Sequence, residues 1–236
     1  MRVAILSDIH GNQIALEAVL KDLSRQPAVD TVVIAGDLCL NGPRPREVLQ
    51  IIQQLNYSVI QGNVDTDIVE QPSTNGAKKQ SVIAWTRKQI GQQGIDYLAN
   101  LPFSHTITNP NGSDLLVVHA NPLDQEEAIF ENTPDSELEY FFQDLPSNIS
   151  AVAYGHYHVP YMRHWRHLLL VDAGSVGLSR DGDTQSAYAI LNWQDHTWQV
   201  EHRRVAYDVE AVVNQLRKSG IPAVEKRIRV LTEAHY

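Results

Sequence analysis

The sequence is poor in cysteine and in long apolar runs. Its single cysteine, Cys39, can form neither an internal disulfide nor a zinc site built from several thiolates. We therefore expect a reducing compartment, namely the cytoplasm. No apolar stretch approaches the roughly 20 residues that a membrane span needs, and the apolar run at the N-terminus stops at Ser7, far short of a signal peptide. We expect no membrane partner.

Basic residues are also scarce. The chain carries 19 Lys and Arg against 28 Asp and Glu, which gives a formal net charge of -9. No Lys or Arg occurs from Gln89 to Met162, a stretch that holds ten acidic residues. Because nucleic-acid backbones are held mainly by Lys and Arg, we do not expect a long nucleic acid as a partner. The acidic stretch is either an ordinary solvated face or the rim of a crevice that admits only small phosphorylated molecules.

The first part of the chain alternates short apolar runs with helical patterns. Apolar runs at residues 2–6, 31–35 and 57–60 each end in a polar or glycine-containing turn. Apolar positions with helical spacing extend over residues 14–23 and 47–55 between them. Strand, loop and helix in this order are typical of α/β architecture with buried strands.

Two more helices are predicted in the middle of the chain. A mostly polar segment, residues 66–80, leads into a helix over about residues 78–100 that is interrupted by glycines. Ser136 and Glu139 have the spacing of a capping box, which predicts a helix that begins there and extends to Leu145.

The later part of the chain predicts a second sheet and a C-terminal helix. Asp208 is expected to cap a helix that Gly220 and Pro222 stop. Further strands are predicted from apolar runs at residues 115–118, 151–154, 168–171, 186–191 and 197–200. We expect one α/β domain with two sheets over residues 1–236.

Side chains that commonly bind metals directly follow five of the predicted strands. They are Asp8 and His10, Asp37, Asn63, His119, and His156 with His158. The carboxyl ends of strands in an α/β sheet open onto one crevice, so we expect these residues to converge. One such fragment alone is weak evidence, but five at strand ends indicate a metal site. Carboxylates mixed with imidazoles favour Mn, Fe or Zn over Ca or Mg bound by oxygen alone.

These fragments resemble the successive motif blocks of the calcineurin-like metallophosphoesterases. The blocks are Asp8-Ile9-His10, Gly36-Asp37, Gly62-Asn63, His119 and Gly155-His156-Tyr157-His158. The resemblance extends from residue 3 to about residue 182 and is nearest to the small bacterial and archaeal predicted phosphodiesterases. It implies a four-layer α/β/β/α sandwich of two mixed β-sheets. It also implies two divalent metal ions, Mn, Fe, Zn or Ni, at the carboxyl edge of the sheets.

The resemblance implies a role for each ligand as well. One metal would be held by Asp8, His10 and His158 and the other by Asn63, His119 and His156, with Asp37 as the bridge. The catalytic residues would be Asp37, Asn63 and His119. Two cations roughly 3.5 to 4 Å apart can clamp a phosphate and convert a water to hydroxide near neutral pH. Attack on phosphorus would then need no serine or cysteine nucleophile.

The sequence departs from the family pattern at Val64. Many members of the family carry a histidine at this position, where it is placed to protonate the leaving alkoxide or to bind a phosphate oxygen. Without such an acid, we expect esters with good leaving groups to be favoured. Asp65 is a candidate replacement acid, and the alternative is a turn aspartate that caps the following segment.

Four polar residues near the predicted metal loops are candidates for binding substrate. Asn12 can donate to a substrate oxygen or cap the helix that follows it. Asn41 and Arg44 lie in a proline-containing loop beyond Asp37, where a guanidinium group can hold phosphate. Arg180 lies near a glycine-containing turn and can do the same.

The combined pattern predicts a metallophosphoesterase. The expected activity is hydrolysis of phosphoester bonds in a small phosphorylated substrate, as a phosphodiesterase or phosphatase with a dinuclear metal centre. Hydrolysis of dinucleoside polyphosphates or of phosphoproteins is an alternative, and a protein-binding scaffold without activity is another. All seven ligand positions carry competent side chains, which favours the enzyme over the scaffold.

Overall fold

The structure, a computed structural model, describes residues 1–72, 76–110 and 112–235. Its strands are β1 (Arg2–Leu6), β2 (Thr31–Ile34), β3 (Ser58–Val59), β4 (His105–Ile107), β5 (Asp114–Val117), β6 (Ile149–Tyr154), β7 (Tyr161–Trp165), β8 (Leu168–Asp172), β9 (Ser186–Gln194) and β10 (Thr197–Val205). Its helices are α1 (Gln13–Leu23), α2 (Pro45–Gln54), α3 (Asn63–Glu70), α4 (Ala77–Ala99), α5 (Asp135–Phe141), α6 (Val209–Ser219) and α7 (Val224–Glu233). None of the helices in these ranges is long and apolar enough to cross a membrane.

Two five-stranded sheets form the centre of the fold. The first has the strand order β10-β9-β1-β2-β3, and the second has the order β4-β5-β6-β8-β7. Three adjacent strands are parallel in each sheet, namely β1, β2 and β3 in the first and β5, β6 and β8 in the second. The other strands pair antiparallel at the sides. The parallel strands place their carboxyl ends, and the loops that follow, at a common edge.

The two sheets pack face to face around a shared apolar core. Within β1, Val3 and Ile5 belong to this core, whereas Ala4 and Leu6 belong to the cluster on the opposite face, as the two-residue period of a strand requires. Burial of each Val or Ile side chain stabilises the fold by roughly 1.5 to 3 kcal/mol. Helix α5 covers the outer face of the second sheet, and the other helices cover the first. The predicted α/β/β/α sandwich is confirmed.

Most of the predicted helices and strands are present. Helix α4 is kinked at Gly91, whose φ is 67°, where a glycine interrupts the predicted helix. Asp208 caps α6 by accepting a hydrogen bond from Ala211 N at 2.9 Å. Gly220 ends that helix with a φ of 75°. These two ends are therefore set by the local chemistry visible in the sequence.

The capping box predicted at Ser136 is wrong. Helix α5 begins one residue earlier, at Asp135, and no side-chain hydrogen bond caps it. Pro134 precedes it and accepts the first helical hydrogen bonds through its carbonyl group. The helix ends at Phe141 and not at Leu145. Pro134 therefore determines where this helix begins, because the pyrrolidine ring restricts φ there.

The sequence pattern does not predict α3, α7, β4 or β7. Helix α3 occupies residues 63–70 and overlaps the segment 66–80 that was expected to be mostly polar. Residues 73–75 of that segment lie outside the described residues. These four elements are short and bury few apolar side chains, so they lack a clear period. The expectation of a single domain over residues 1–236 stays a prediction.

A hydrogen-bonded ion pair anchors α1 to the first sheet. Asp22, near the end of α1, accepts hydrogen bonds from Tyr188 Oη on β9 at 2.7 Å and from Arg203 Nε on β10 at 2.8 Å. The bond from Arg203 holds the pKa of Asp22 below its ordinary value of 3.8. Because α1 directly follows the loop that carries Asp8 and His10, this contact fixes the helix that leads out of the loop.

We expect Asp22→Ala to lower the free energy of unfolding at pH 7 by about 1 to 3 kcal/mol, because Tyr188 and Arg203 lose their acceptor. Urea denaturation measures this change. The matched control is Asp96→Ala, which removes an exposed carboxylate of α4 that accepts a bond from Gln92. The control should change the stability by less than about 0.5 kcal/mol.

The same pair predicts a pH dependence. Since the pKa of Asp22 is lowered on folding, its stabilisation is complete above the unfolded value of 3.8 and is lost as the pH falls through the folded value. The difference between the wild type and Asp22→Ala should therefore shrink in acid. A difference that stays constant down to the acid transition would contradict this assignment.

Candidate metal centre

The seven predicted ligands lie together at the carboxyl edge of the two sheets. Asp8 and His10 follow β1, Asp37 follows β2, Asn63 begins α3, His119 follows β5, and His156 and His158 follow β6. All are buried except His156, which is partly exposed. Hydrogen bonds join the loops of the two sheets, from His156 N to Asp8 Oδ2 at 2.9 Å and from His119 Nδ1 to Ala35 O at 2.7 Å.

Left-handed backbone conformations shape these loops. Five of the seven residues have φ values between 50° and 67°, namely Asp8, His10, Asp37, His156 and His158. Residues other than glycine seldom adopt this region, although Asp, Asn and His enter it more readily than most. Backbone hydrogen bonds between the loops hold the conformation, as from His10 N to Asp37 O at 2.9 Å. Backbone strain of this kind is concentrated at functional sites.

Two glycines allow the loops to approach each other closely. A Cβ atom on Gly62 would lie 2.2 Å from Asp37 Oδ1, and one on Gly155 would lie 2.3 Å from Asp8 Oδ2. Both distances are shorter than any normal van der Waals contact. A larger residue at either position would therefore displace a carboxylate of the site.

Three of the predicted ligands, Asp8, His10 and His158, form what we call the first ligand group. His158 Nε2 lies 3.0 Å from Asp8 Oδ1 and 3.1 Å from His10 Nε2. Asp37 Oδ2 lies 3.7 Å from His10 Nε2. The ligand atoms of these four residues all lie within 4.8 Å of one another, so a single metal ion can reach all of them.

Asn63, His119 and His156 form the second ligand group. His119 Nε2 lies 3.1 Å from Asn63 Oδ1 and 3.2 Å from His156 Nδ1. Asp37 approaches this group with its other oxygen, because Oδ1 lies 3.4 Å from His119 Nε2. The carboxylate of Asp37 therefore stands between the two groups with one oxygen toward each.

Backbone carbonyl groups determine which nitrogen of each imidazole carries the proton. Each of the four rings bonds a carbonyl oxygen through one nitrogen at 2.6 to 2.9 Å: His10 with Leu40, His119 with Ala35, His156 with Glu126, and His158 with Leu178. A carbonyl oxygen only accepts, so that nitrogen must be the donor. The other nitrogen of each neutral ring then has a lone pair, and it points into the site.

In the first ligand group these lone pairs face each other. In the neutral rings Nε2 of His10 and Nε2 of His158 would each carry a lone pair, and these two atoms lie 3.1 Å apart. Asp8 Oδ1 is buried without a hydrogen-bond partner among the described residues, and it lies 3.0 Å from His158 Nε2. Buried acceptors in mutual contact are costly unless a cation lies among them. The donor set therefore fits a metal ion.

The second ligand group has the same character. The amide nitrogen of Asn63 donates to Glu126 Oε2 at 3.1 Å, which turns its amide oxygen toward His119. That oxygen meets the lone pair of His119 Nε2, and His156 Nδ1 adds another lone pair. Three acceptors thus converge at this point as well.

The pKa shifts of His10, His156 and Asp37 show that burial favours the neutral form of each of these side chains. Burial lowers the pKa of His10 to about 3. Burial also lowers the pKa of His156 to about 4, so both rings are neutral near pH 7. Burial raises the pKa of Asp37 well above 3.8, and the nearby charge of Asp8 raises it further. A cation would reverse the shift of Asp37, because it favours the ionised carboxylate.

Two of the residues predicted to bind substrate are engaged in local structure. Asn12 Oδ1 accepts from Ala15 N at 3.1 Å and caps α1, while its amide nitrogen donates to Gly177 O at 3.0 Å. Arg44 forms an exposed ion pair with Glu47 at 3.1 Å at the start of α2. Their role toward substrate stays a prediction.

The other two lie closer to the first ligand group. Arg180 Nε is 3.4 Å from His158 Nδ1, which places its guanidinium beside the ligand. Asn41 follows Leu40, whose carbonyl holds His10, and its side-chain oxygen accepts a hydrogen bond from Arg227 at 3.0 Å. Their role toward substrate also stays a prediction.

The aspartate after Val64 supports the backbone of the site. Asp65 is fully buried, and its carboxylate accepts hydrogen bonds from the backbone N–H groups of Asp37, Leu38 and Gly62 at 2.8 to 3.1 Å. Burial raises its pKa to about 7, although these bonds oppose the shift. The interpretation of Asp65 as a capping aspartate is the one that these contacts support.

Sequence reasoning did not single out Glu126 as a residue of the site. Its carboxylate holds Asn63, and its carbonyl oxygen holds His156 Nε2 at 2.9 Å. In the sequence it is one of ten acidic residues in a stretch without basic ones, and it follows no strand. No local signal distinguishes it, because its position depends on the path of a long loop.

Comparisons with known proteins relate the chain to a family of phosphoesterases. The family model described as the calcineurin-like phosphoesterase superfamily domain matches residues 1–196. A metallophosphoesterase from Sphaerobacter thermophilus has a similar structure, with a TM-score of 0.79, 28% identity and 99% of both chains covered.

Two sequence relatives extend the comparison. An uncharacterized protein of Methanocaldococcus jannaschii is 29% identical over 239 residues, which cover 93% of both chains. A symmetrical bis(5'-nucleosyl)-tetraphosphatase of Cronobacter sakazakii is 26% identical over 166 residues, which cover 64% of this chain and 58% of that protein. The fold, the ligand cluster and the family match lead to one conclusion: the chain belongs to the calcineurin-like phosphoesterase superfamily and is a phosphoric ester hydrolase.

Proposed function

We propose that this chain hydrolyses phosphoester bonds in small phosphorylated substrates at a dinuclear centre of Mn, Fe, Zn or Ni. The observation that carries the proposal is the pair of ligand groups on either side of Asp37, whose two oxygens lie 3.7 Å from His10 Nε2 and 3.4 Å from His119 Nε2. When bound, two cations would clamp the phosphate, activate water and stabilise the charge that develops on the leaving oxygen.

The chain's own residues would orient the metal ions and the substrate. Asp37 is the proposed bridge, and the N–H group of Val64 donates to its Oδ1 at 3.1 Å and fixes the carboxylate. Asn63 and His119 complete the proposed catalytic set. Arg180, beside His158, is placed to bind a phosphate oxygen through its planar guanidinium group.

Charge near the site supports a small substrate. Glu126 brings the acidic stretch of the sequence to the second ligand group through its contact with Asn63. A carboxylate at this side of the site would repel the backbone of a long nucleic acid. A single phosphoester, held by cations and by Arg180, would not meet this barrier in the same way.

The residues after Asn63 supply no proton to a leaving group. The side chain of Val64 is apolar and lines a cavity beside His10. The carboxylate of Asp65 is committed to three backbone N–H groups. The leaving oxygen would depart without help from either residue, which favours substrates whose leaving groups have a low pKa.

Dinucleoside polyphosphates are the second candidate substrates. The similarity to a symmetrical bis(5'-nucleosyl)-tetraphosphatase supports them, and a phosphate leaving group departs without strong need of an acid. The expected cytoplasmic location stays a prediction, in keeping with such substrates.

We expect the wild type to bind about two manganese ions per chain. His119→Ala should bind about one fewer, because the affinity of the second ligand group for manganese should fall by a factor of about 10 to 100. Equilibrium dialysis with metal analysis measures both. His164→Ala, which removes an exposed histidine of β7, is the matched control and should bind as the wild type does. Unchanged manganese binding by His119→Ala would contradict the second ligand group.

The manganese-loaded protein should hydrolyse bis(4-nitrophenyl) phosphate, 4-nitrophenyl phosphate or diadenosine tetraphosphate. Asp37→Ala should lower kcat/KM by about 100-fold or more, because both ligand groups lose their shared carboxylate. Initial rates at several substrate concentrations measure the effect. Activity that survives both Asp37→Ala and His119→Ala would overturn the proposed mechanism.

The position of Val64 allows a direct test of the missing acid. We expect Val64→His to raise kcat for methyl 4-nitrophenyl phosphate only slightly when nitrophenolate leaves, but to raise kcat for an alkyl ester about tenfold or more. Val64→Leu keeps the position apolar and is the control. An equal effect of Val64→His on both leaving groups would argue against general-acid chemistry at this position.

A further inference from the structure

A cavity of about 650 Å³ lies beside the first ligand group and shares His10 with it. This volume is typical of a pocket for a small organic ligand. Its walls come from the loop after Leu40, the beginning of α4 and the two C-terminal helices α6 and α7. The cavity therefore adjoins the proposed metal centre at His10 and extends from there toward the C-terminal part of the chain.

The body of the cavity is apolar. Its lining includes Val64, Val82, Val212, Leu216 and Val230. Val64 occupies the position at which many relatives are expected to carry a polar histidine, so the departure from the family pattern adds to this apolar wall. A flat or aliphatic part of a substrate would lose its hydration shell here, as it would in other apolar pockets.

The charged residues of the cavity are all basic. They are Lys78, Lys79, Arg180, Lys226 and Arg227, and no Asp or Glu is among the described residues that line it. Lys79 pairs with Asp67. The chain as a whole has a formal net charge of -9, so this cavity has the opposite sign to the protein around it. The concentration of positive charge indicates an anionic ligand.

The contacts of Arg227 point to an anionic ligand, because its positive charge has no carboxylate partner among the described residues. Its hydrogen bonds go to neutral oxygens, to Asn41 Oδ1 at 3.0 Å and weakly to Ala223 O at 3.5 Å. Its Nε atom is buried without a hydrogen-bond partner among the described residues. Burial lowers the pKa of the guanidinium group. A partly buried cation without a carboxylate partner is destabilising unless an anion compensates it.

Two hydrogen bonds and one peptide link connect Arg227 to the metal centre. Its partner Asn41 follows Leu40, and the carbonyl group of Leu40 accepts from His10 Nδ1 at 2.9 Å. An anion at Arg227 and a phosphoester beside His10 would therefore each contact a side chain that is hydrogen-bonded to the same loop. This arrangement suits two ends of a single molecule.

The wall that carries Arg227 lies beyond the family domain. Helices α6 and α7 occupy residues 209–219 and 224–233, whereas the family match covers residues 1–196. The shared domain supplies the metal ligands, and the C-terminal helices supply the outer wall of the cavity. Differences in specificity within a family are expected to depend on segments outside the shared domain.

We propose that the cavity is a second substrate subsite, in which Arg227 binds a phosphate group carried on the apolar body of the substrate while the reacting phosphoester lies at the metal centre. This inference rests on the proposed phosphoester hydrolase function. The substrate class is a phosphoester with a flat or aliphatic body of about nucleoside size and a second phosphate at its far end.

Two chromogenic esters that differ only in the second phosphate test the subsite. They are thymidine 5'-(4-nitrophenyl phosphate) and the same compound with a 3'-phosphate, and both release nitrophenolate. With the manganese-loaded wild type, we expect kcat/KM to be about 10- to 100-fold higher for the ester with the 3'-phosphate, mainly through KM. In Arg227→Gln, which keeps a donor for Asn41, this ratio should fall to about 1 to 3.

Two further variants separate charge from structure. Arg227→Lys retains the charge but not the planar fork of donors, so it should keep an intermediate ratio. Arg229→Gln removes an exposed charge from the same helix, outside the cavity lining, and should keep the wild-type ratio. Thermal unfolding of each variant shows that it is folded before the ratio is measured.

The possible results distinguish the subsite from the activity. Hydrolysis of both esters at equal kcat/KM by the wild type would overturn the subsite and leave the proposed function in place. A preference that persists in Arg227→Gln would overturn the assignment of Arg227. Failure to hydrolyse either ester, or bis(4-nitrophenyl) phosphate, would contradict the proposed function itself.

Discussion

The site depends on buried nitrogen and oxygen atoms that converge where a metal ion could lie among them. Four imidazole rings donate to backbone carbonyl groups and direct their remaining lone pairs inward, where they meet Asp8, Asn63 and Asp37. Contacts between unprotonated acceptors are unfavourable unless a cation lies among them. The rest of the fold holds these atoms in place, so binding of a cation would require little rearrangement of the ligand side chains.

Backbone geometry makes this convergence possible. Loops from two different sheets must interlock within a few ångströms, and five left-handed residues together with close-packed glycines achieve it. Asp65 adds a further constraint, because it ties the loops before and after it together from within the core. The ionic anchor of α1 through Asp22 secures the helix behind the first loop. The contacts of Asp65 and Asp22 therefore stabilise the fold and also hold the loops that carry the ligands.

Charge is distributed unevenly around the site, and this bears on substrate choice. Glu126 stands at the second ligand group, whereas the cavity beside the first ligand group is basic and apolar. The apolar side chain of Val64 faces this cavity. Because Val64 is apolar, its side chain offers no proton to a leaving group and also forms part of the apolar wall of the cavity. Under the proposed function, both favour a substrate with a good leaving group and a substantial organic body.

Strand periodicity and strand-end ligands determined much of this protein at the level of sequence: two sheets, the α/β class, and seven residues that the structure brings to one edge. Local rules also located the cap at Asp208 and the kink at Gly91. Only the tertiary structure decided that Asp65 serves the backbone, that Glu126 reaches Asn63, and that Arg227 enters a cavity with Asn41. These contacts join residues that are 28, 63 and 186 positions apart. No periodic pattern encodes them, because they depend on how loops and C-terminal helices pack once the sheets have formed.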